Sequence, residues 1–519
     1  MVMLGLRDQP GLFTAASRFA VDLDRLGFYG VLARDGRSIM RDEDFADCYS
    51  KQGRPSNSPA LMGLAYLLKI HARVSDDEAI ARCKYDLRWK AALDLDPLSL
   101  VAPFSKTSFV GWRTRLLLHE KGGLALEQAI TRARKKGLLP KALCVALDST
   151  PLRGRGALKD TYNLLSDAVR GVVRAVAAEQ GEKPETTAAE IGVERHFQPQ
   201  SIKGFDVVDW DDEDAVRGFL GRLLDDCERV VKAARRAGCG GEAAALLERI
   251  VSQDIDQTEN QPKIREGVAK GRVISVSDPE MRHGRKSSGK TFNGHKGHVA
   301  VDTDTGLITA VDVSAPGESD GSKVKALIEE TVRATGSTVE SALGDCAYSS
   351  RPAQAQAEDL GVDLLAKTPS PPKGRFSQGE FKISEDRETA ECPAGHTSAI
   401  VYNNKTARVH YWSEGHCGKC PLKDQCVKPE SRRRTLSVLP DFRERQRKAR
   451  RAKSKKGRKQ LKKRVVVEHA IGRLKQLGAG MSRYFGRAKT KLQLAWTAAV
   501  VNLRLLAVLQ QRAALKAAA

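Results

Sequence analysis

Three acids stand where buried elements end or turn. Asp148 follows the apolar run Leu143 to Leu147, Asp345 follows the short stretch Val339 to Leu343, and Glu468 lies in KKRVVVEHAIGRLK. Three carboxylates delivered from separate elements can hold two divalent cations, and their hard oxygens suit Mg2+ or Mn2+. Two such ions about 3.5–4 Å apart can activate a water or a 3′-hydroxyl and stabilise the leaving oxygen of a phosphodiester. Arg464 and Lys475, on either side of Glu468, would hold phosphate there. Acids at strand ends are also ordinary turn and cap residues. Spacing alone therefore does not select these three from the 64 Asp and Glu of the chain.

A second set is sulfur-based. Of ten cysteines, four lie close together as Cys392, Cys417, Cys420 and Cys426, with His396, His410 and His416 nearby. One CxxC pair plus two further thiols can close a tetrahedral zinc site. A closed four-thiolate site has no open position, so such a zinc would stabilise and not catalyse. The alternative is a set of reduced structural thiols. The start, MVMLGLRDQPGLF, lacks the basic and apolar pattern of a leader, so the expectation is a cytoplasmic, nucleoid-associated protein with reduced thiols.

Charge is the third signal. The chain has 87 Lys and Arg against 64 Asp and Glu, a net charge of +23. Arg443 to Arg464 carries 14 basic residues and one acid, more than half of that surplus. Such a run repels itself unless a polyanion neutralises it, and nucleic acid does so with release of counterions. Arg450, Arg451, Lys455, Lys456, Lys462 and Lys463 are the residues expected to meet phosphate. A solvated basic linker is the alternative.

These residues need elements to position them. With 519 residues, 41% hydrophobic and only 5% aromatic, the chain can build several units around aliphatic cores. No run of about 18 unbroken apolar residues exists, which argues against a membrane span. The longest candidate, Leu492 to Leu509, is interrupted by Gln493, Thr497, Asn502 and Arg504. Membrane proteins, secreted disulfide scaffolds and fibrous proteins are thereby excluded. Residues 1–140 read as helical. Pro59 to Ala72 puts Leu61, Leu64, Leu68 and His71 on one stripe. Ser75 with Glu78 is a capping-box signature that opens the next helix, and the pair outlines a helix-turn-helix. A third helix covers Phe109 to His119, with Trp112 as its core anchor.

Leu143 to Leu147 reads as a strand buried on both faces and closed by Asp148. Long helical patterns follow from Leu158 to Ser252. Gly294 to Asp302 and Leu307 to Val313 form a hairpin through the turn TDTG. A helix over Ser322 to Ala334, strands at Val339 to Leu343 and Val362 to Lys367, and a polar stretch over 368–440 come next. The last helix, Leu492 to Leu509, aligns Leu494, Ala498, Val501, Leu505 and Val508 on one seam.

The blocks LDSTPL (147–152), SDPEMRHGRKSSGKTFNGHKGHVAVD (277–302), GDCAYSS (344–350), VEHAIGRLK (467–475) and AAVVNLRLL (498–506) resemble, in order, bacterial insertion-sequence transposases of the DDE class. In the group concerned the glutamate lies in a Tyr-x2-Arg-x3-Glu-x6-Lys signature, which Arg464, Glu468 and Lys475 match. Two positions depart from the pattern: Leu461 stands where the tyrosine is expected, and Ala347 stands where glycine usually precedes Tyr348. Residues 28–118 are similar to the family's N-terminal helical domain. The resemblance implies an α/β, RNase H-like mixed sheet flanked by helices, with the first aspartate on the first strand, the second near the fourth and the glutamate on a late helix.

The expected division is an N-terminal helical DNA-binding domain (1–140), the first strand of the catalytic core (141–154), a helical insertion (155–275), the core continued (276–367), a cysteine-rich insertion (368–440) and a basic segment with C-terminal core helices (441–519). The expected function is DNA transposition: binding the terminal inverted repeats, cutting the 3′ ends by two-metal hydrolysis at Asp148, Asp345 and Glu468, and joining them to target DNA. The resemblance further implies a homodimer that pairs two ends. A nuclease without strand transfer, or a non-catalytic zinc-stabilised DNA-binding protein derived from a transposase, are the alternatives.

Overall fold

A six-stranded mixed sheet forms the centre of the protein, seen in a computed structural model that describes residues 4–7, 14–18, 25–50, 52–256, 262–287, 289–368, 375–404 and 406–518. In chain order its strands are β1 (Ala142–Arg153), β2 (Arg282–Ser287), β3 (Lys290–Asp302), β4 (Ile308–Ser314), β5 (Thr338–Gly344) and β6 (Asp363–Ala366). They lie in the order β2-β3-β1-β5-β6, with β4 paired to β3. β1 runs antiparallel to β3 and parallel to β5, and β5 runs parallel to β6. The β3–β4 hairpin closes as its residues demand. Asp302 accepts hydrogen bonds from the Thr305 backbone N–H and hydroxyl at 2.9 and 2.6 Å, and Gly306 takes a positive φ of 74°. An antiparallel hairpin beside three parallel strands is the RNase H-like arrangement.

The sheet corrects one expectation. Asp148 does not end its strand, because β1 continues to Arg153. β3 is long enough to pair with it as far as Arg153 opposite Gly294, whereas β5 stops at Gly344. Asp148 therefore stands where the parallel half of the sheet stops and the antiparallel half goes on.

Helices α1 (Phe28–Ile39), α2 (Pro59–Ala72), α3 (Asp76–Tyr85), α4 (Leu87–Leu93), α5 (Lys106–Leu118) and α6 (Leu124–Lys135) precede the sheet. In α2 every residue from Pro59 to Ile70 is buried, not only the expected stripe. Ser75 caps α3 by accepting from the Glu78 N–H at 3.1 Å, but the Glu78 carboxylate turns to Arg82, so the cap is single and not reciprocal. Three more long helices, α7 (Thr161–Gln180), α8 (Glu213–Ala237) and α9 (Gly241–Asp254), fill the interval between β1 and β2. They pack around their own aliphatic core, which includes Val169, Val173, Leu223 and Leu247.

After β4 come α10 (Val324–Thr335) and, beyond β5, α11 (Arg351–Asp359). The cysteine-rich stretch holds the short strands β7 (Lys382–Ile383), β8 (Ala390–Glu391), β9 (Ile400–Asn403), β10 (Arg408–Tyr411) and β11 (Thr435–Val438). The basic run is then helical: α12 (Phe442–Lys453) and α13 (Lys455–Lys462) lead into α14 (Val465–Gln476) and α15 (Arg487–Ala518).

The N-terminal helices share one core with the C-terminal ones and one face of the sheet. Trp496 of α15 meets Trp112 and Tyr66 edge-on, with ring centroids 5.4 and 5.2 Å away. Among the described residues one helix, over Arg487–Leu509, is long and apolar enough to cross a membrane, yet 72% of its apolar window is buried inside the protein. The polar residues that interrupt it serve that buried position. Asn502 accepts from the Ile308 N–H and donates to the Ile308 carbonyl, at 2.9 and 2.7 Å, satisfying the start of β4. Leu494, Ala498 and Val501 are buried on the seam, whereas Val508 is exposed.

Candidate active site

Side-chain alternation decides which residues of β1 face the late helices. Ala146, Leu152, Val299 and Val301 share a core with Val467, Ala470, Ile471 and Leu474 of α14. Asp148, two residues beyond Ala146, faces the same way. On the neighbouring strand Leu343 packs with Leu461 of α13, and Asp345 lies two residues beyond it. Both aspartates therefore come from the sheet face that α13 and α14 cover.

α14 is fixed to β1 at its far end as well. The Arg153 N–H donates to the Gly480 carbonyl at 3.0 Å, and the Ser482 N–H donates to the Arg153 carbonyl at 2.8 Å.

Arg464 joins this set. Its side chain is only 9% exposed, and its guanidinium donates to Asp148 at 2.9 Å and to Glu468 at 2.6 Å. Arg464 immediately precedes α14, so the i,i+4 spacing sets Glu468 one turn along on the same side. Burial pushes the Asp148 carboxyl above its ordinary value. The Ser149 N–H and the Arg464 guanidinium pull it back, and the charge of Asp345 pushes it up again. Asp345 caps the turn that follows β5, accepting from the Ala347 N–H at 2.9 Å. Glu468 is 54% exposed. Lys475, two turns beyond Glu468, is exposed; partial desolvation and Lys286 of the β2–β3 hairpin lower its pKa, against the opposing pull of Asp148.

Both departures from the family signature have a structural account. Leu461 is buried with Leu343, Leu365 and Ala452, so it packs α13 onto the strand that leads into Asp345. Ala347 sits in a turn without a positive φ, which alanine accommodates. Gly344 is the residue that cannot change there: a Cβ would lie 2.5 Å from Cβ of Tyr348.

The remaining cations divide. Arg450, Lys455, Lys456 and Lys462 are exposed and have no ion pair among the described residues. Arg451 is paired with Asp363, and Lys463 lies 3.0 Å from Asp304, so both also tie the basic helices to the sheet. Cys392, Cys417, Cys420 and Cys426 lie together in the small-strand segment, apart from the acids.

Several residues near the acids carried no signal in the sequence. Lys286 belongs to the hairpin and is brought toward Lys475 only by the fold. Asp320 accepts from the Ser149 hydroxyl at 2.9 Å and pairs with Lys296 at 2.8 Å. Tyr348 is fully buried, its hydroxyl has no hydrogen-bond partner among the described residues, and burial followed by Asp320, Asp148 and Asp345 raises its pKa strongly. The block GDCAYSS marked Tyr348, but not its orphaned hydroxyl.

Among the described residues no three His, Cys, Asp or Glu side chains are drawn together closely enough to hold a metal as they stand. The acid set nevertheless fits a cation. A buried carboxylate and a like-charged neighbour both call for positive charge, and Arg464 supplies part of it.

A mixed sheet of this order, with one acid on β1, a second just past β5 and a third on α14, is RNase H-like. The transposase DDE domain family matches residues 391–507, which include Glu468, Arg464 and Lys475. A transposase domain family (DUF772) matches residues 31–115, within the N-terminal helices. Both matches are to transposase domains and support an insertion-sequence transposase of the DDE class, a class whose catalytic domains generally use divalent metal ions. No characterised protein gives a match to this chain.

Proposed function

We propose that this transposase binds the terminal inverted repeats of its insertion sequence, cuts their 3′ ends by hydrolysis and joins them to target DNA by direct attack of the 3′-hydroxyl. The observation that supports this best is the Arg464 bridge between Asp148 and Glu468, which joins the first strand to a helix more than 300 residues later.

Asp148, Asp345 and Glu468 would hold Mg2+ or Mn2+. Such ions, when bound, activate the attacking oxygen and stabilise the leaving one. Asp148 and Asp345 offer that charge a fixed, partly buried pair. Glu468, more exposed, reaches toward it from α14. Arg464 keeps the two ends of the set in register when DNA is absent. Lys475 and Lys286 hold the phosphate on the open side. The cations of α12 and α13 lie along the DNA backbone, positioning it without reading its bases. A dimer pairs the two ends.

A labelled, pre-cut element end mixed with plasmid and Mg2+ or Mn2+ tests this. Covalent joining that requires Glu468 is the expected result. Metal-dependent cutting without joining would make the protein a hydrolytic nuclease. Binding without cutting would make it a DNA-binding derivative.

A further inference from the structure

We infer that the cysteine-rich segment is a structural zinc site held by Cys392, Cys417, Cys420 and Cys426. All four line a single cavity of about 20 Å³, walled also by Trp412 and Val427. That is room for one small ion or one water and nothing larger.

Three separate turns aim the thiols at it. In the first, the Gly395 N–H donates to the Cys392 carbonyl at 2.9 Å, the Cys392 N–H donates to the His396 carbonyl at 2.9 Å, and Gly395 takes a φ of 84° that only glycine adopts easily. In the second, the Cys420 N–H folds back toward the Cys417 carbonyl, bringing the CxxC pair round. The third is the single helical turn Lys423–Cys426, whose last residue is buried.

The surroundings explain why an ion is needed. The segment's strands are two to four residues long. Its core is eight buried side chains, one of them Cys426 itself. So little apolar area does not hold a fold of this size, and small domains of this kind depend on a staple. Disulfides are not the staple here, because all four thiols are free. No three of them are yet at ligation distance from one point, so the side chains close around the ion when it binds, and binding is coupled to tightening of the segment. His396 and His416 also reach the cavity, but their rings are stacked on each other at 4.5 Å. They flank the site and do not complete it. Four thiolates fill a tetrahedral zinc, so this metal has no open position for water and is separate from the acid set.

The site also has a mechanical consequence. The segment hands the chain directly to α12, and Arg434 donates to the Cys426 carbonyl at 2.8 Å just before β11. The ion therefore fixes the point from which the basic helices start.

The test uses the full-length protein, purified under reducing conditions without chelators and with zinc in the growth medium. Elemental analysis should find about one zinc per chain. Asp345→Ala and His416→Ala should keep it, and Cys420→Ser should lose it and become protease-sensitive within 375–440. Cobalt exchanged into the wild-type protein should show intense thiolate-to-cobalt absorption, a readout that stands even if Cys420→Ser does not fold. Zinc-free wild-type protein with no cobalt–thiolate band overturns the inference. So does zinc that survives Cys420→Ser and is lost in Asp345→Ala.

Discussion

Asp148 and Asp345 each lie two residues beyond the last register pair of neighbouring parallel strands, Ala146 opposite Leu343. β1 continues through Asp148, whereas Asp345 stands just past the end of β5, and its charge acts on Asp148. Two carboxylates so placed repel each other, and one of them is already pushed up by burial. A site of this kind binds positive charge, and Arg464 is the charge the chain itself provides.

Replacing any one of the three acids should separate chemistry from binding. Asp148→Ala, Asp345→Ala and Glu468→Ala are each expected to lower end cleavage by more than about 100-fold, beyond the 10–100-fold typical of losing an outer-shell partner. Affinity for an end-sequence duplex should stay within a few-fold, because most of the cations that meet phosphate lie elsewhere. Gel-shift and cleavage assays on the same preparations measure both. Near wild-type cleavage by one variant in Mn2+ would remove that residue from the site.

Arg464→Ala should act on stability and on pH dependence together. It leaves Asp148 buried without its cation, at a cost of about 3 kcal/mol by urea unfolding. The guanidinium lowers the Asp148 pKa, so its loss raises that pKa further. Cleavage needs the carboxylate, so the acid limb of the pH–rate profile should move to higher pH. Arg464→Lys should recover only part of both, since one ammonium does not span Asp148 and Glu468 as the guanidinium fork does. An unmoved acid limb in Arg464→Ala would show that Asp148 is not the titrating group.

The basic helices should show two kinds of cation. Neutralising Arg450, Lys455, Lys456 and Lys462 should weaken binding to all sequences about equally. It should also flatten the log–log salt dependence by about 0.9 for each phosphate the protein no longer neutralises. Arg451→Ala should instead loosen α12 from β6, because Arg451 pairs with Asp363. Its signature is faster proteolysis between α12 and α13 with a smaller change in salt slope. Equal slopes for the fourfold variant and the wild type would make the run a solvated face.

Acid should destabilise the sheet through His298. Burial lowers its pKa to about 4, with Asp320, Lys296, Asp312 and Lys323 acting on it from around β3. Between about 6.5 and 4 the unfolded chain takes up a proton that the folded imidazole refuses, so stability falls as pH drops through that window. His298→Gln keeps a partner for the Ser314 hydroxyl, which lies 2.8 Å from the ring, and should reduce the loss in Tm between pH 7 and 5. An unchanged loss would place the acid sensitivity elsewhere, with His71 the next group, also lowered to about 4.

Local order was largely legible in the sequence. The helices over Thr161–Gln180 and Glu213–Ala237, the hairpin at Thr303 to Gly306 and the strand at Thr338–Gly344 follow from periodicity, caps and turn residues, which act within a few positions of themselves. Asp148, Asp345 and Glu468 could be named only through resemblance, because an acid at a strand end has the same local signature whether it caps a turn or binds a metal.

Tertiary structure decided the rest, for a physical reason. Strand length past Asp148 depends on a partner more than 140 residues away, and β3 extends β1 to Arg153 where local sequence suggested an end. The burial of α2 on all sides from Pro59 to Ile70 depends on Trp496 and its neighbours at the other end of the chain. Arg464 reads as a phosphate ligand in a basic run, yet the fold turns it inward to two carboxylates, while Arg450 in the same run stays in solvent. Charge and periodicity determine which residues can bind an anion or line a core. Which of them do so is set by long-range packing, where burial makes one pairing worth more than the water it replaces.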